Sequence, residues 1–225
     1  MQTETAAAPD ERIRVWDAPT RLFHWSLVAL VLVSWLSADQ GYMTVHLWSG
    51  LSLLALLLFR FGWGLMGSTT SRFSDFLHAP HKILAYLQTV ARGGRVLHAG
   101  HNPAGGLMVL ALLAVLLAQV ATGLFANDGL RFSGPLALFV SDDASDGMTR
   151  IHGIVFDIIL LLVWLHVVAV GFHHFVKGDN LVGPMVSGTK QRAHVPEGAT
   201  IIFAHPALAV GLLLACAALA AWMLY

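Results

Sequence analysis

The stretch IHGIVFDIILLLVWLHVVAVGFHHF, residues 151–175, decides the fold. It stays apolar for longer than the roughly 20 residues a helix needs to cross the hydrocarbon core of a bilayer, so it reads as a membrane span. Within it, His152 and His166 stand fourteen residues apart. That is two heptads, or about 21 Å of helix, so both rings project on nearly the same face toward one seam of a left-handed bundle. Ionisable side chains at membrane depth are costly and rarely face lipid, so the pair marks a functional site by default.

The rest of the chain fits the same setting. Its 225 residues are 56% hydrophobic and only 12% charged, a composition that excludes an ordinary soluble domain. Further apolar runs cover 21–38, 45–65, 104–126 and 201–224, which makes five spans in all. They must be helices, because an open sheet would leave backbone groups unpaired in lipid. The fold class is therefore an all-α integral membrane protein. Two more histidines, His24 and His46, lie at the rims of the first and second spans.

Orientation follows from the basic residues, since the net charge is zero. Arg12, Arg14 and Arg21 precede or open the first span, and Arg72, Lys82, Arg92 and Arg95 fill the loop after the second. Those sides are expected in the cytoplasm. The first-to-second loop carries Asp39 and no Lys or Arg. The third-to-fourth loop sets Asp128, Asp142, Asp143 and Asp146 against Arg131 and Arg150. Both are expected outside. Lys177, Lys190 and Arg192 return to the cytoplasm, which leaves the C-terminus outside after the fifth span. Residues 1–19 are polar and lack the apolar centre of a cleavable signal, so the first helix is expected to act as the insertion signal. No nucleic-acid partner is expected.

Depth then sorts the histidines. His24 is at the cytoplasmic end of the first helix and His46 at the outer end of the second, while the fourth helix enters from outside at His152 and passes His166 further in. The depth pairs are His24 with His166, and His46 with His152. Each pair can clamp one haem between helices, the common arrangement for cofactors in bundle cores. A neutral imidazole nitrogen is a good axial ligand, and its other ring nitrogen is free to donate to a carbonyl that fixes the ring. The alternatives are a proton relay or satisfied polar residues. Gly50, Gly153 and Gly171 near these positions either relieve crowding by a flat macrocycle or simply allow close helix packing. The single cysteine, Cys216, leaves no disulfide framework and no C-x-x-C-H attachment motif, so any haem is held non-covalently, as b-type haem.

Two connecting features complete the pass. Phe73, Phe76, Leu77, Ile83, Leu84, Leu87 and Val90 recur at helical spacing, predicting an amphipathic helix over about 73–91 that lies at the interface or caps the bundle end. Asn102-Pro103 predicts an N-cap and first helical residue for the third span, with His101 just outside it.

The chain resembles the bacterial cytochrome b561 family, and within it the b-type cytochrome subunits of membrane-bound nickel-iron hydrogenases and their relatives. The residues that carry the resemblance are Val15-Trp16-Asp17-Ala18-Pro19-Thr20-Arg21-Leu22-Phe23-His24-Trp25, His46 with Gly50, and Arg60-Phe61-Gly62-Trp63. It continues through Gly100-His101-Asn102-Pro103, then His152 and His166, and ends with Asp179-Asn180-Leu181 and Met185-Val186-Ser187-Gly188. It spans roughly 15–190. The resemblance implies a four-helix bundle, here over residues 1–198, that holds two b haems; the additional transmembrane helix expected over 199–225 departs from the family's four-helix pattern. It assigns His24 and His166 to the cytoplasmic-side haem and His46 and His152 to the outer one, the pairs depth already gave. It further implies electron transfer between a periplasmic redox protein, such as a cytochrome c or a hydrogenase-type subunit, and ubiquinone or menaquinone in the bacterial inner membrane.

Several residues keep two readings. Arg21 and Arg60 at the cytoplasmic rim either pair with haem propionates or only mark topology. His173, His174 and His101 either meet a quinone, His101 alternatively a propionate, or are interfacial, as His78, His81, His98, His194 and His205 are expected to be. Asp157 inside the fourth span either lines the haem seam or packs on the fifth helix, and Gln119 in the third raises the same question. In the fifth helix, Gly211 with Ala215 and Ala217 with Ala221 give small-residue spacing for packing on the bundle, a second copy or a partner. Two other functions compete with the carrier. One is a superoxide-oxidising quinone reductase, disfavoured by the acidic outer loop. The other is a non-redox transporter or scaffold, which predicts no haem.

Overall fold

A computed structural model describes residues 11–130 and 132–223, so Arg131 and Leu224, both used above, and residues 1–10 of the polar N-terminal stretch lie outside the described residues. Four helices are long and apolar enough to cross a membrane: α1 (Ala18–Asp39), α2 (Met43–Met66), α5 (Pro103–Phe125) and α6 (Asp142–Phe175). Between α2 and α5 lie the short α3 (Phe73–Phe76) and α4 (Pro80–Ala91). After α6 come α7 (Val182–Ser187) and α8 (Pro206–Trp222), and the strands β1 (Arg12–Arg14) and β2 (Thr189–Gln191) pair antiparallel.

The second span, α2, is the spine. It packs against α1, α5 and α8, while α6 packs along α5. Leu53, Leu54, Leu57, Phe59 and Trp63 are buried on it, against Phe23 of α1, Leu113, Leu116 and Val120 of α5, and Ala209, Cys216 and Ala220 of α8. Between spans in lipid the attraction is close packing rather than exclusion of water, so fitted large side chains matter most here. The small residues of α8 meet α2 along Ala209, Cys216 and Ala220, with Leu212 against Gly62. Gly211, Ala215, Ala217 and Ala221 face outward instead, so of the three contacts expected of that small-residue spacing, the bundle is not the one it makes.

Other boundaries differ from expectation for local reasons. Instead of one amphipathic helix over 73–91 there are two, because Pro80 forces extended backbone on Ala79 (ψ 148°) and restarts the helix. The fourth span starts nine residues before its apolar run, capped by Ser141 accepting from Ala144 N, and extends to 34 residues, about 51 Å. The apolar run showed only the part that lies in lipid. The last helix starts at Pro206 rather than 201 and has 17 residues, about 26 Å. The Asn102 cap holds as expected, with Oδ1 accepting from Gly105 N at 2.7 Å.

One end of the bundle is closed by the strand pair, termed here the ladder end. Val15 N and Trp16 N donate to the Gly188 carbonyl at 2.8 and 3.1 Å, and Arg21 Nη1 donates to the Val186 carbonyl. Thr70 Oγ1 donates to the Val15 carbonyl at 2.6 Å, and Thr69 N to the Ile202 carbonyl at 3.0 Å. The start of α5 comes so close to α3 that a Cβ on Gly106 would sit 2.4 Å from the Phe76 carbonyl oxygen. Gly106→Ala must therefore part the two helices. A loss of about 1–3 kcal/mol is expected, read as a lowered thermal midpoint of the solubilised protein.

Candidate functional site

The four spanning histidines fall in two groups at opposite ends. At the far end, His46 of α2 and His152 of α6 are partly buried, with ring centroids 6.0 Å apart and planes at 81°. Each ring is held by its Nδ1 on a backbone carbonyl: His46 on Ser34 of α1 at 2.9 Å, His152 on Gln119 of α5 at 2.9 Å. Carbonyl anchoring of one ring nitrogen fixes the tautomer and leaves Nε2 as the lone-pair donor, the arrangement of metal-ligating imidazoles. Thr122 Oγ1 also lies 3.2 Å from His152 Nδ1, and Gln119 Nε2 lies 3.0 Å from His152 Nε2. Gln119, ambiguous in the sequence, is thus a partner of His152 through both backbone and side chain.

Space surrounds this pair. His152 Cε1 would be 2.9 Å from a Cβ on Gly123, so its ring lies against a bare α-carbon of α5. One turn from His46 on the same face, a Cβ on Gly50 would meet nothing within 4 Å, and the same is true of Gly153 beside His152 and, at the other end of α6, of Gly171. The seam between α6 and the α1/α2 pair is bridged by the Trp35–Phe156 contact, at 5.9 Å, and by the histidines.

The ladder-end group is tighter. His24 and His166 lie within electrostatic reach of each other, and both act on His101 together with Arg60. His24 Nδ1 is buried without a partner. Arg60 is 2% exposed, its Nη1 has no partner, and its guanidinium lies over Phe73 and Phe76 at 5.0 and 5.7 Å. A buried guanidinium with an idle donor suits an anionic group placed beside it. Arg21 Nε is likewise buried and unpartnered.

His101 is packed edge-on against Trp16 and Phe76, centroids at 4.8 and 4.7 Å, with Nδ1 enclosed and unpartnered. Burial first, then the charge of Arg60, then His166 and His24, push its pKa down to about 3. The unfolded chain, with an ordinary value near 6.5, binds this proton earlier. Stability is therefore full above about pH 6.5 and falls as pH drops from there toward 3, by up to about 1.4 kcal/mol per unit. His101→Gln is expected to flatten the acid limb of thermal midpoint against pH and leave the neutral limb parallel to wild type.

The remaining histidines part company. His173 lines a shallow pocket at the ladder end with Tyr86, Val90, Arg95, Leu97 and Asp179, whereas His174 is exposed beside Phe175. His98 is not merely interfacial: its Nε2 is buried without a partner and its ring meets Tyr86 at 5.7 Å. Burial, with His78 and Lys190 beside it, lowers its pKa. His205 caps α8, Nδ1 accepting from Ala207 N at 3.2 Å. Asp157 is exposed and touches neither the histidine seam nor α8, which lies on α2, so neither expected placement holds.

Sequence reasoning passed over Asp17. It is 2% exposed, and its carboxylate accepts from Thr20 N at 2.8 Å, Trp63 Nε1 at 3.1 Å and Ser71 Oγ at 3.3 Å, joining α1, α2 and the 69–71 turn. The signal was present in the Asp-Ala-Pro-Thr cap pattern.

Among the described residues, four helices long and apolar enough to cross a membrane, with the histidines of three of them grouped at opposite ends, have the makeup of a multi-pass membrane protein. Residues 15–188 match the family model described as prokaryotic cytochrome b561, and the chain belongs to that family. It is thus a bacterial membrane cytochrome of b type, engaged in electron transfer. No curated protein matches the chain.

Proposed function

We propose that this cytochrome holds two b haems, one at each end of the bundle, and carries electrons across the membrane between an extracytoplasmic redox protein and the quinone pool. The observation that carries the reading is the far-end pair, two imidazoles 6.0 Å apart, each with Nδ1 anchored on a carbonyl of a neighbouring helix. His46 and His152 would hold the far-end haem, and His24 and His166 the ladder-end one. A haem bound at either site would supply a one-electron centre, and a histidine pair is the donor set that would hold it for electron transfer. α6 gives one ligand to each site, about 21 Å apart along its axis.

Around the ladder-end haem, Arg60 is the propionate partner best supported, by its idle buried Nη1. Arg21 is committed through one nitrogen to Val186, and its Nε remains for the same role. His101, kept neutral, borders this site. Quinone is assigned to the ladder end beside His173, whose pocket offers Tyr86, Arg95 and Asp179 as hydrogen-bonding and proton-handling neighbours. His174 is left to the interface. The ladder end is taken as cytoplasmic, on the basic residues flanking the spans.

The test is a reduced-minus-oxidised visible spectrum of the purified chain with haem counted per polypeptide. Two b haems of distinct midpoint potential are expected. One haem or none would overturn the two-site reading, and none would favour the transporter.

A further inference from the structure

The short helix α4 lies where the spans leave the bilayer. Just before it, the Phe76 carbonyl sits against Gly106 in the first turn of α5. At its other end Lys177 Nζ, just past α6, donates to the Val90 and Gly94 carbonyls at 3.0 and 3.4 Å. Both ties are to the ends of spans, so the helix is held at that level. At about 100° per residue its side chains sort into three stripes. Ile83, Tyr86 and Val90 turn to the bundle, Tyr86 being 8% exposed. Leu84, Leu87 and Ala91 form the second stripe, about 100° round, and all three are exposed, Leu84 at 58%. His81, Gln88 and Arg92 follow about 90° further, with Lys82 beyond them, all four exposed. Chemistry thus divides the exposed half of α4 into an apolar stripe beside the bundle and a polar, cationic one beyond it. Among the described residues the side chains of Lys82 and Arg92 have no hydrogen-bond or ion-pair partner.

The geometry points to α4 as an in-plane anchor on anionic phospholipid, with Leu84, Leu87 and Ala91 seated among the acyl chains and Arg92 and Lys82 on headgroup phosphates. A helix at a bilayer surface buries such an apolar stripe about 5–10 Å into the boundary between headgroups and acyl chains. The order of the stripes matches that seat: protein on one side, lipid on the next, water on the third, with cations at the rim. Long Lys and Arg stems carry their charge up to the headgroups from a backbone seated below them. Charge then selects the lipid. Residues 77–100 contain Lys82, Arg92 and Arg95 and no Asp or Glu, so an anionic headgroup is their complement. A second copy would bring the same cations to the contact and be repelled.

The full chain in lipid nanodiscs tests this, with a fluorescent label on single cysteines in a Cys216→Ala background. A label at Leu87→Cys is expected to be quenched by nitroxides on the acyl chains and shielded from iodide. At Ala85→Cys, exposed and about 160° round the helix, the reverse is expected. Spin-labelled phosphatidylglycerol should be enriched at the Leu87 label about five- to twentyfold over spin-labelled phosphatidylcholine at equal mole fraction, the worth of one to two cations at an anionic surface. Adding Lys82→Gln and Arg92→Gln together should bring the two lipids within about twofold of each other, while acyl-chain quenching persists because the apolar stripe is intact. The thermal midpoint reports an intact fold and should not move, since neither cation holds a partner. A Leu87 label open to iodide, equal enrichment of the two lipids beside wild-type cations, or a preference that survives the double substitution would overturn the assignment. So would energy transfer between Leu87 labels on two copies, which would put a dimer where the lipid is placed.

Discussion

Replacing His152 with alanine is expected to leave one b haem per chain, against the two proposed for wild type, and His46→Ala should leave the same residual spectrum. The reason is geometric. The two rings face each other at 6.0 Å, each tied by Nδ1 to a carbonyl of a third or fourth helix, so neither has a neighbour able to replace its partner. Loss of one axial imidazole also leaves the opposite Nε2 without its counter-ligand, and the site loses both affinity and shape. His24→Ala and His166→Ala should match each other in the same way and leave the complementary haem. Haem content by pyridine haemochrome and redox titration of each variant checks the pairing. If His46→Ala resembled His166→Ala, the division into two ends would be wrong. Gln119→Leu provides a graded control: it keeps the backbone carbonyl that anchors His152 and removes only the side-chain contact at 3.0 Å. That amide lies on the nitrogen iron would take and gives way when haem is bound, so the variant is expected to retain both haems with an unchanged bis-imidazole spectrum.

The sequence made four of the five expected spans and the division of the histidines between two ends legible because both obey simple periodicities. An apolar run reports hydrocarbon thickness, and fourteen residues on one helix report one face at two depths. What it hid lies where local rules give way to contacts between distant segments. The break at 77–79 follows from Pro80, a local signal that the apolar spacing of 73–91 masked. The polar turns from Asp142 were invisible to a reading of apolar runs, although Ser141 marks their cap. Gln119 and Gly123 gave no sign of serving His152, since that depends on the angular register of α5 against α6. The Met-Val-Ser-Gly segment was recognisable as a motif without a role. It proves to be the strap on which Arg21, Trp25 and β1 close the ladder end, with Gly188 at φ +84° making the turn. Asp157 was recognised as anomalous, but its direction could not be chosen without knowing that α8 packs on α2.

That closed end makes Asp17 the position where one change should cost the fold most. Asp17→Ala removes three hydrogen bonds at once and leaves the Thr20 amide and the Trp63 indole buried with no acceptor, while the Ser71 hydroxyl keeps the Thr20 hydroxyl at 2.6 Å. Each orphaned donor costs on the order of 1–3 kcal/mol, and the lost cap about 1. Arg60 also loses the nearby negative charge that acts on it. A destabilisation of about 3–5 kcal/mol follows, roughly 10 °C in thermal midpoint for a chain of this size. Asp17→Asn separates shape from charge. Its amide oxygen can still cap α1, while its amide nitrogen faces the Trp63 donor, so about half the loss is expected. Both substitutions also remove a negative charge close to Arg60 and the His24–His166 site. A more positive surrounding favours the reduced, less positive form, so the ladder-end midpoint potential should rise while the far-end potential stays fixed. A redox titration of Asp17→Asn reads this directly. Equal shifts at both haems would mean the charge acts through the whole fold rather than on the site beside it.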